Sequence, residues 1–144
     1  MLVTVMANNV QFSISVHILA ALACRCDKDT ASATLAASVN TSPSFVRRTL
    51  ARLSKAGLVE TATGKGGACW LARDAKKISL LDIYRAVDAP KAFVIHSYPE
   101  LQVCTVSCHI KGALEKALAK TQKAMEASLA ETSLAQVVSD VKKK

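Results

Sequence analysis

The sequence predicts a mainly α-helical fold with one small β-hairpin and a long helix towards its C-terminus. Hydrophobic residues make up 51% of the 144 residues and aromatic residues only 4%. Such a composition, rich in alanine and leucine, favours close packing of helices. Hydrophobic positions recur at helical spacing in several segments, whereas strand-like sequence is confined to a short stretch around a glycine cluster. A chain of this length is sufficient for one domain with a core.

The first helix is expected from Asn8 to Cys24. Its hydrophobic residues cover more than one face, so neighbouring helices or a partner subunit should bury it. His17 lies among them, and we expect a hydrogen-bonded core histidine rather than a metal ligand. Residues 25–30 are polar and are interpreted as a linker.

Two short helices joined by a tight turn are predicted next. Leu35, Ala36 and Val39 give the first of them a hydrophobic stripe. The segment Asn40–Pro43 then ends that helix and starts the second. Ser42 is suited to accept a hydrogen bond from a free N–H of the new helix, and proline is favourable at its first position.

The second short helix has two contrasting faces. Val46, Leu50 and Leu53 recur at helical spacing and should point inward. Gly57 should end the helix, because a left-handed conformation costs glycine least. The opposite face is polar and cationic, and consists of Ser44, Arg47, Arg48, Ala51, Arg52 and Lys55. A short helix with a buried back and a cationic front is what the major groove admits, so we interpret it as a DNA-recognition helix.

A β-hairpin follows, with strands predicted at residues 58–61 and 68–72 and a glycine-rich turn at 63–67. Its glycines allow close approach to a phosphate or a narrow groove, and Lys65 adds charge there. From Ser42 to Lys77 there are eight basic and two acidic residues, a net +6, against +8 for the whole chain. The combination predicts a winged helix-turn-helix, although a solvated helix face and an ordinary hairpin are the alternative.

We divide the chain into a winged helix-turn-helix DNA-binding domain at 1–90, a connecting loop at 91–104, and a C-terminal unit at 105–144. Within the first unit, Ser79 should cap a short helix that runs through Asp88 and docks under the wing. Within the last unit, Thr132-Ser133 should cap a final short helix that ends at Val141.

A long helix is predicted between these two, capped by Thr105 or Ser107 and running to about Ala130. Its predicted inward stripe follows a three/four spacing and consists of Val106, Ile110, Leu114, Ala117, Thr121, Met125 and Ser128. Lysines and glutamates lie mostly between these positions. We interpret this segment as a dimerisation helix, with packing on its own subunit as the alternative.

The run from Thr34 to Ala89 resembles the winged-helix core of the Rrf-two family of bacterial transcriptional regulators. The resemblance is strongest in "NTSPSFVRR", "KAGLVE" and "ISLLDIYRAV", and the terminal segments resemble the family's YwnA-like branch. It implies a cytoplasmic homodimer that binds operator DNA, usually as a repressor. The family's wing often carries an aromatic residue and an arginine after its glycines, and Cys69 and Trp70 stand here instead.

These expectations assign roles to individual residues. Ser44 and Arg47, near the start of the recognition helix, should reach base edges. Lys65 should reach the minor groove or its backbone. The residues expected at phosphates are Arg48, Arg52 and Lys55, and Ser42 completes the predicted double-stranded DNA-binding set.

Five cysteines could carry other chemistry: Cys24, Cys26, Cys69, Cys104 and Cys108. The first two are too close together for a usual zinc pair. The family's iron–sulfur members use three cysteines in the region of Cys104 and Cys108. This chain offers two, so a cluster is disfavoured and no metal or cofactor is expected. Two interpretations of Cys104 and Cys108 remain equal alternatives. The pair forms a thiol sensor near a helix N-terminus, or both residues are small apolar fillers.

Other classes of function are weaker. The pI near 9.4 suits an acidic polymeric partner. The most apolar run is too short to span a membrane, and the stretch before "ALAC" lacks the basic residues of a secretory signal, so a cytoplasmic protein without a membrane partner is expected. No Cys-x-x-Cys, paired carboxylates or nucleophile elbow indicates an enzyme. A thiol-redox protein and a winged-helix module that binds protein remain as alternatives.

Overall fold

A computed structural model describes residues 2–24, 30–62 and 67–143, with side chains of the first segment described from Val10 onward. These residues form helices and a small sheet around one core. The elements in chain order are α1 (Leu2–Cys24), β1 (Thr30–Ala31), α2 (Ser32–Val39), α3 (Pro43–Lys55), β2 (Val59–Thr61), β3 (Ala68–Leu71), a 3-10 turn (Ala75–Lys77), α4 (Leu80–Ala86), α5 (Thr105–Glu131) and α6 (Leu134–Lys142). The predicted fold class, mainly helical with a small wing, is confirmed.

Helix α1 begins six residues before the predicted start at Asn8. The segment ahead of Asn8 contains neither proline nor glycine, so nothing in it stops the helix. Ile18 and Leu19 are fully buried. His17 is exposed, so the prediction of a core histidine is wrong in burial, but its Nε2 does share a hydrogen bond with Ser38 Oγ at 3.0 Å.

The turn between α2 and α3 follows the predicted chemistry. Asn40 ends α2 in the left-handed conformation, with φ of 64°. Ser42 Oγ accepts a hydrogen bond from the Phe45 N–H at 3.3 Å, and Pro43 occupies the first turn. After α3, Gly57 has a φ of +76°, as predicted for the residue that reverses the chain.

The hairpin lies within a three-stranded antiparallel sheet of order β1-β3-β2. Val59 faces Leu71 across the predicted strand pair, and Thr30 faces Cys69 across the other edge of β3. The prediction of a linker at residues 25–30 is therefore wrong at Thr30, which begins a strand, while residues 25–29 lie outside the described part of the chain. Two residues are too few to show the alternation by which a strand is recognised. The tip of the hairpin, with Lys65, is outside the described residues.

The core gathers side chains from α1 to α4, the sheet and α6. Leu134 of α6 is fully buried, and its N–H donates to the Ile78 carbonyl at 2.8 Å. Ser133 caps α6 as predicted, through a capping box with Gln136. The helix α6 thus shares the core of the first 90 residues, while the division of the chain into three units stays a prediction.

Helix α4 has the predicted cap, since the Asp82 N–H donates to Ser79 Oγ at 3.1 Å. It ends at Ala86, two residues before the predicted end at Asp88, which has a positive φ of 47°. Its main contacts are with α1, α3 and α5, so the prediction that it docks under the wing is wrong. Ile83 of this helix and Val87, its C-cap, are buried in the core.

Helix α5 departs most from the prediction. Its cap is Cys104, whose Sγ accepts the Ser107 N–H at 3.5 Å, and not Thr105 or Ser107. No residue of α5 is fully buried. Of the predicted inward stripe, Val106, Ala117, Thr121 and Ser128 are exposed, while the half-buried face includes Leu118, Gln122, Met125 and Leu129. Alanine and threonine alternate with longer side chains all round this helix, so hydropathy alone does not separate its faces.

Candidate nucleic-acid interface

The back of α3 is anchored in the core. Val46 and Leu53 are fully buried and Leu50 is 4% exposed, as predicted. Thr49 is also fully buried, which was not predicted. Its hydroxyl donates to the Phe45 carbonyl at 3.0 Å and accepts from Gln11 Nε2 at 3.5 Å, so the buried polar group is satisfied. This packing fixes the orientation of the helix.

The front of α3 is exposed at all six predicted positions. The four cations among them, Arg47, Arg48, Arg52 and Lys55, have no acidic partner within the described residues, where the salt bridge formed is Lys143–Asp140. No carboxylate of the described residues therefore neutralises the positive charge of this face.

The arginine side chains are arranged differently along this face. Arg47 Nη2 donates to Ser44 Oγ at 3.4 Å, so the two front-face residues that are nearest the start of α3 lie next to each other. The Arg48 guanidinium lies over the Phe45 ring, 5.8 Å from its centroid, in a cation–π contact. Arg52 Nη1 donates to the Val87 carbonyl at 3.3 Å, a contact that the sequence pattern did not reveal.

A groove of about 560 Å³ separates α3 from the sheet. It is lined by Ser32, Arg47, Leu50, Ala51, Ser54, Lys55, Thr61 and Gly67. Ser32, Ser54 and Thr61 were not predicted as part of the site. Ser54 could have been found from its spacing, because it lies two turns after Arg47 on the same side of the helix. Gly67 has a φ of +55°, which favours glycine at this edge of the groove.

The described part of the wing adds further polar groups. Trp70 Nε1 donates to Glu60 Oε2 at 2.9 Å across the strand pair. Arg73 Nε donates to the Gly57 carbonyl at 3.4 Å and remains exposed beside the end of α3. The side chains of β2 and β3 thus hold each other in place next to the recognition helix.

The cysteines lie in different environments. Cys69 is fully buried, its Sγ donates to the Thr30 carbonyl at 3.1 Å, and burial raises the pKa of its thiol. Cys24 is exposed, whereas Cys104 and Cys108 are half-buried. Cys108 Sγ donates towards the Leu101 carbonyl oxygen at 3.7 Å and towards that of Gln102 at 3.8 Å. Cys26 is outside the described residues.

Together, a helix with a buried back and cationic front, the preceding α2, and an adjacent antiparallel sheet define a winged helix-turn-helix DNA-binding protein. The chain belongs to the Rrf2 family, because the family model described as iron-dependent transcriptional regulator matches residues 8–140. This confirms the resemblance inferred from the sequence. The protein is a DNA-binding transcriptional regulator and not an enzyme, as predicted.

Individual relatives support the same family assignment. The chain is 37% identical over 131 residues to the HTH-type transcriptional regulator YwnA of Bacillus subtilis, covering 90% of this chain and 96% of that one. A crystal structure described as that of a DNA-binding protein is similar with 34% identity and a TM-score of 0.68, over 88% of this chain and 97% of its own. A transcriptional regulator from Lactobacillus plantarum has the same fold, with a TM-score of 0.80, 22% identity, and 94% and 91% coverage.

The family description raises the question of an iron site. Among the described residues, no group of three or more histidine, cysteine, aspartate or glutamate side chains is placed to hold a metal ion. Cys104 and Cys108 contribute two thiols, and both sulfurs are engaged with backbone groups. This donor set does not fit an iron–sulfur cluster, which takes four ligands. The expectation of no cofactor stays a prediction.

Within the described segments, none of the helices combines the length and the hydropathy of a membrane span.

Proposed function

We propose that this regulator is a homodimeric, sequence-specific repressor whose two α3 helices enter major grooves about one helical turn, ~34 Å, or a multiple of it apart. The observation that carries the proposal is the exposed cationic face of α3, which has no acidic partner within the described residues, over a buried back. A rigidly held helix of this kind presents its side chains to DNA at little further entropic cost. We place the dimer in the cytoplasm, where operator DNA is found in bacteria.

The contacts divide into two classes along α3. Ser44 and Arg47 lie near the helix start and beside each other, and we assign them to base edges. Arg48 and Lys55 are assigned to phosphates. Ser42 accepts the cap hydrogen bond with its oxygen, which leaves its hydroxyl proton to donate to a phosphate.

The wing is assigned to the adjacent minor groove or its backbone. Lys65 is the cation proposed to enter it. Thr61 and Gly67 line the groove on the side of the sheet and Arg47 and Lys55 on the side of α3, so one DNA backbone passing between them would meet both walls.

A second copy of the chain is proposed to cover the exposed hydrophobic residues before and at the start of α5. We call this set the apolar patch: Phe93, Val94, Tyr98, Leu101, Val103 and Val106, with exposed fractions from 59% to 90%. Monomers rarely leave so many large hydrophobic side chains exposed in one region. The helix α5, 27 residues and roughly 40 Å long, packs on α4 and on residues 91–101, and many of its side chains remain exposed.

Cys104 and Cys108 are proposed as a thiol sensor through which oxidation would weaken DNA binding. Oxidation by hydrogen peroxide would break both S–H bonds and the O–O bond and form one S–S bond; the two thiol protons and two electrons pass to the peroxide, which leaves as two water molecules. The bond would remove the Cys104 cap of α5 and the Cys108 contact with Leu101. The proposal fails if the double variant Cys104→Ser, Cys108→Ser releases DNA with oxidant as the unaltered protein does.

Binding to DNA selected from a random pool tests the main proposal. Arg47→Ala should cost ~1–3 kcal/mol and relax specificity at one base position, whereas Lys55→Ala should weaken binding to all sequences and lower the salt slope by about 1. Lys116→Ala, which removes an exposed charge from α5, is the matched control and should change neither quantity.

Equal, sequence-independent losses from Arg47→Ala and Lys55→Ala would contradict the division into base and phosphate contacts. If the unaltered protein shows no salt-dependent retention on DNA at all, the protein-binding module becomes the better interpretation.

A further inference from the structure

Arg52 differs from the other cations of α3 in position and in partner. At roughly 100° per residue it lies about 140° around the helix from Arg47, on the side away from the groove. It is absent from the groove lining, and its Nη1 donates instead to the Val87 carbonyl at 3.3 Å. We infer that Arg52 is a positioning residue, which sets the angle of the recognition helix rather than neutralising a phosphate. This inference rests on the proposed function.

The partner of Arg52 is chemically suited to hold a guanidinium. Val87 is the C-cap of α4, and it is 2% exposed. The last carbonyls of a helix lack intrahelical partners and carry the negative end of the helix dipole. A charged donor to such a carbonyl forms a hydrogen bond stronger than a neutral one. A guanidinium held in this way has less freedom to turn towards DNA.

The helix that Arg52 grips is itself tied to α5. Gln122 Nε2 donates to the Tyr84 hydroxyl at 3.0 Å, and that hydroxyl donates to the Pro90 carbonyl at 2.6 Å. The Ala92 N–H donates to the other end of Gln122, its Oε1, at 3.1 Å. Polar contacts therefore run from α3 through α4 to the helix proposed for dimerisation.

This connection has a consequence specific to a dimer. If α5 fixes the two subunits to each other, the Arg52 contact fixes each recognition helix relative to α5, and so helps to set the distance between the two recognition helices. Loss of Arg52 should relax the preferred spacing of operator half-sites, which loss of a phosphate contact would not do.

The test compares Arg52→Ala with Lys55→Ala in the full-length protein. Binding is measured over a range of salt concentrations, on the selected operator and on versions with one or two base pairs inserted between half-sites. Arg52→Ala should weaken operator binding about tenfold at every salt concentration, leave the salt slope unchanged and reduce discrimination between spacings. Lys55→Ala should lower the slope by about 1 and keep the discrimination.

A fall in slope of about 1 for Arg52→Ala, with spacing discrimination intact, would overturn the inference and restore a phosphate contact. Unchanged affinity, slope and discrimination would overturn it as well. Thermal unfolding of each variant identifies a folding defect. If Arg52→Ala has one, Arg52→Lys, which keeps a hydrogen-bond donor, is tested instead and should restore the spacing preference. A folded Arg52→Lys protein without that preference would count against the inference. Absence of salt-dependent binding by the unaltered protein would instead overturn the proposed function.

Discussion

Helices α3 and α5 differ in how much of their surface the chain itself buries. Helix α3 has 13 residues, of which four are buried, whereas α5 has 27 residues and none that is fully buried. The short helix derives its stability from the core and exposes charge. The long helix contributes little to that core and leaves hydrophobic side chains uncovered nearby. The comparison teaches that the chain buries one face of α3 in its own core, whereas it leaves much of the region around α5 exposed, which is where we propose that a second copy binds.

The largest expected effect is on the anchored side of this comparison. Leu53 is fully buried, and Leu53→Ala should lower the free energy of unfolding by ~2–5 kcal/mol, because it removes transfer energy and leaves a cavity. Leu118→Ala, on the half-buried face of α5, is the matched control and should cost clearly less. Urea unfolding at low protein concentration measures both. Equal losses would break the comparison.

The next effect concerns the apolar patch. Val106 is 65% exposed, so Val106→Asp should leave the fold of the single chain intact. In a dimer that covers this position, the buried carboxylate should raise the dissociation constant at least tenfold, or about 1.4 kcal/mol. Sedimentation velocity over a concentration series measures this, with circular dichroism as the check on folding. A dimer of unaltered strength would show that another surface joins the subunits.

The same contrast explains what the sequence could predict. Val46, Leu50 and Leu53 identify the inner face of α3, because they are large hydrophobic residues at helical spacing; the pattern misses Thr49, a polar residue that is also buried. On α5, Ala117 and Thr121 were predicted to face inward and are exposed. Periodicity identifies the face that a chain buries in itself, and it loses force where burial is slight or depends on another chain.

Long-range contacts were beyond sequence reasoning for a related reason. The pattern placed Arg52 correctly on the exposed side of α3, but its partner, the Val87 carbonyl, is 35 residues away and is a backbone atom of a different helix. The strand β1 was missed because its two residues acquire strand geometry only by pairing with β3. Caps such as Ser42 and Ser79 were predictable, since their chemistry is local.

The cysteines extend the comparison to chemical reactivity. Burial raises the pKa of the Cys69 thiol in the core, so alkylation followed by mass spectrometry should reach Cys108 well before Cys69.

The raised pKa of Cys69 also affects stability. A thiol whose pKa is higher in the folded than in the unfolded protein contributes stability below the unfolded pKa, about 8.5, and this contribution is lost as the pH rises. Stability should therefore decline as the pH rises above about 8.5, and Cys69→Ala should flatten that decline while Cys108→Ala does not. Urea unfolding at a series of pH values measures this decline.

The smallest expected effect compares the two helix caps directly. Ser42 Oγ accepts from the Phe45 N–H at 3.3 Å, and Cys104 Sγ accepts from the Ser107 N–H at 3.5 Å. Sulfur is a weak acceptor, so Cys104→Ser should be neutral or stabilise by up to ~0.5 kcal/mol, whereas Ser42→Ala should cost ~1 kcal/mol. Urea midpoints of the two variants decide this. A clear loss on Cys104→Ser would mean that the thiol packs in a way oxygen does not, which would favour the filler interpretation of Cys104 over a cap that oxidation can release.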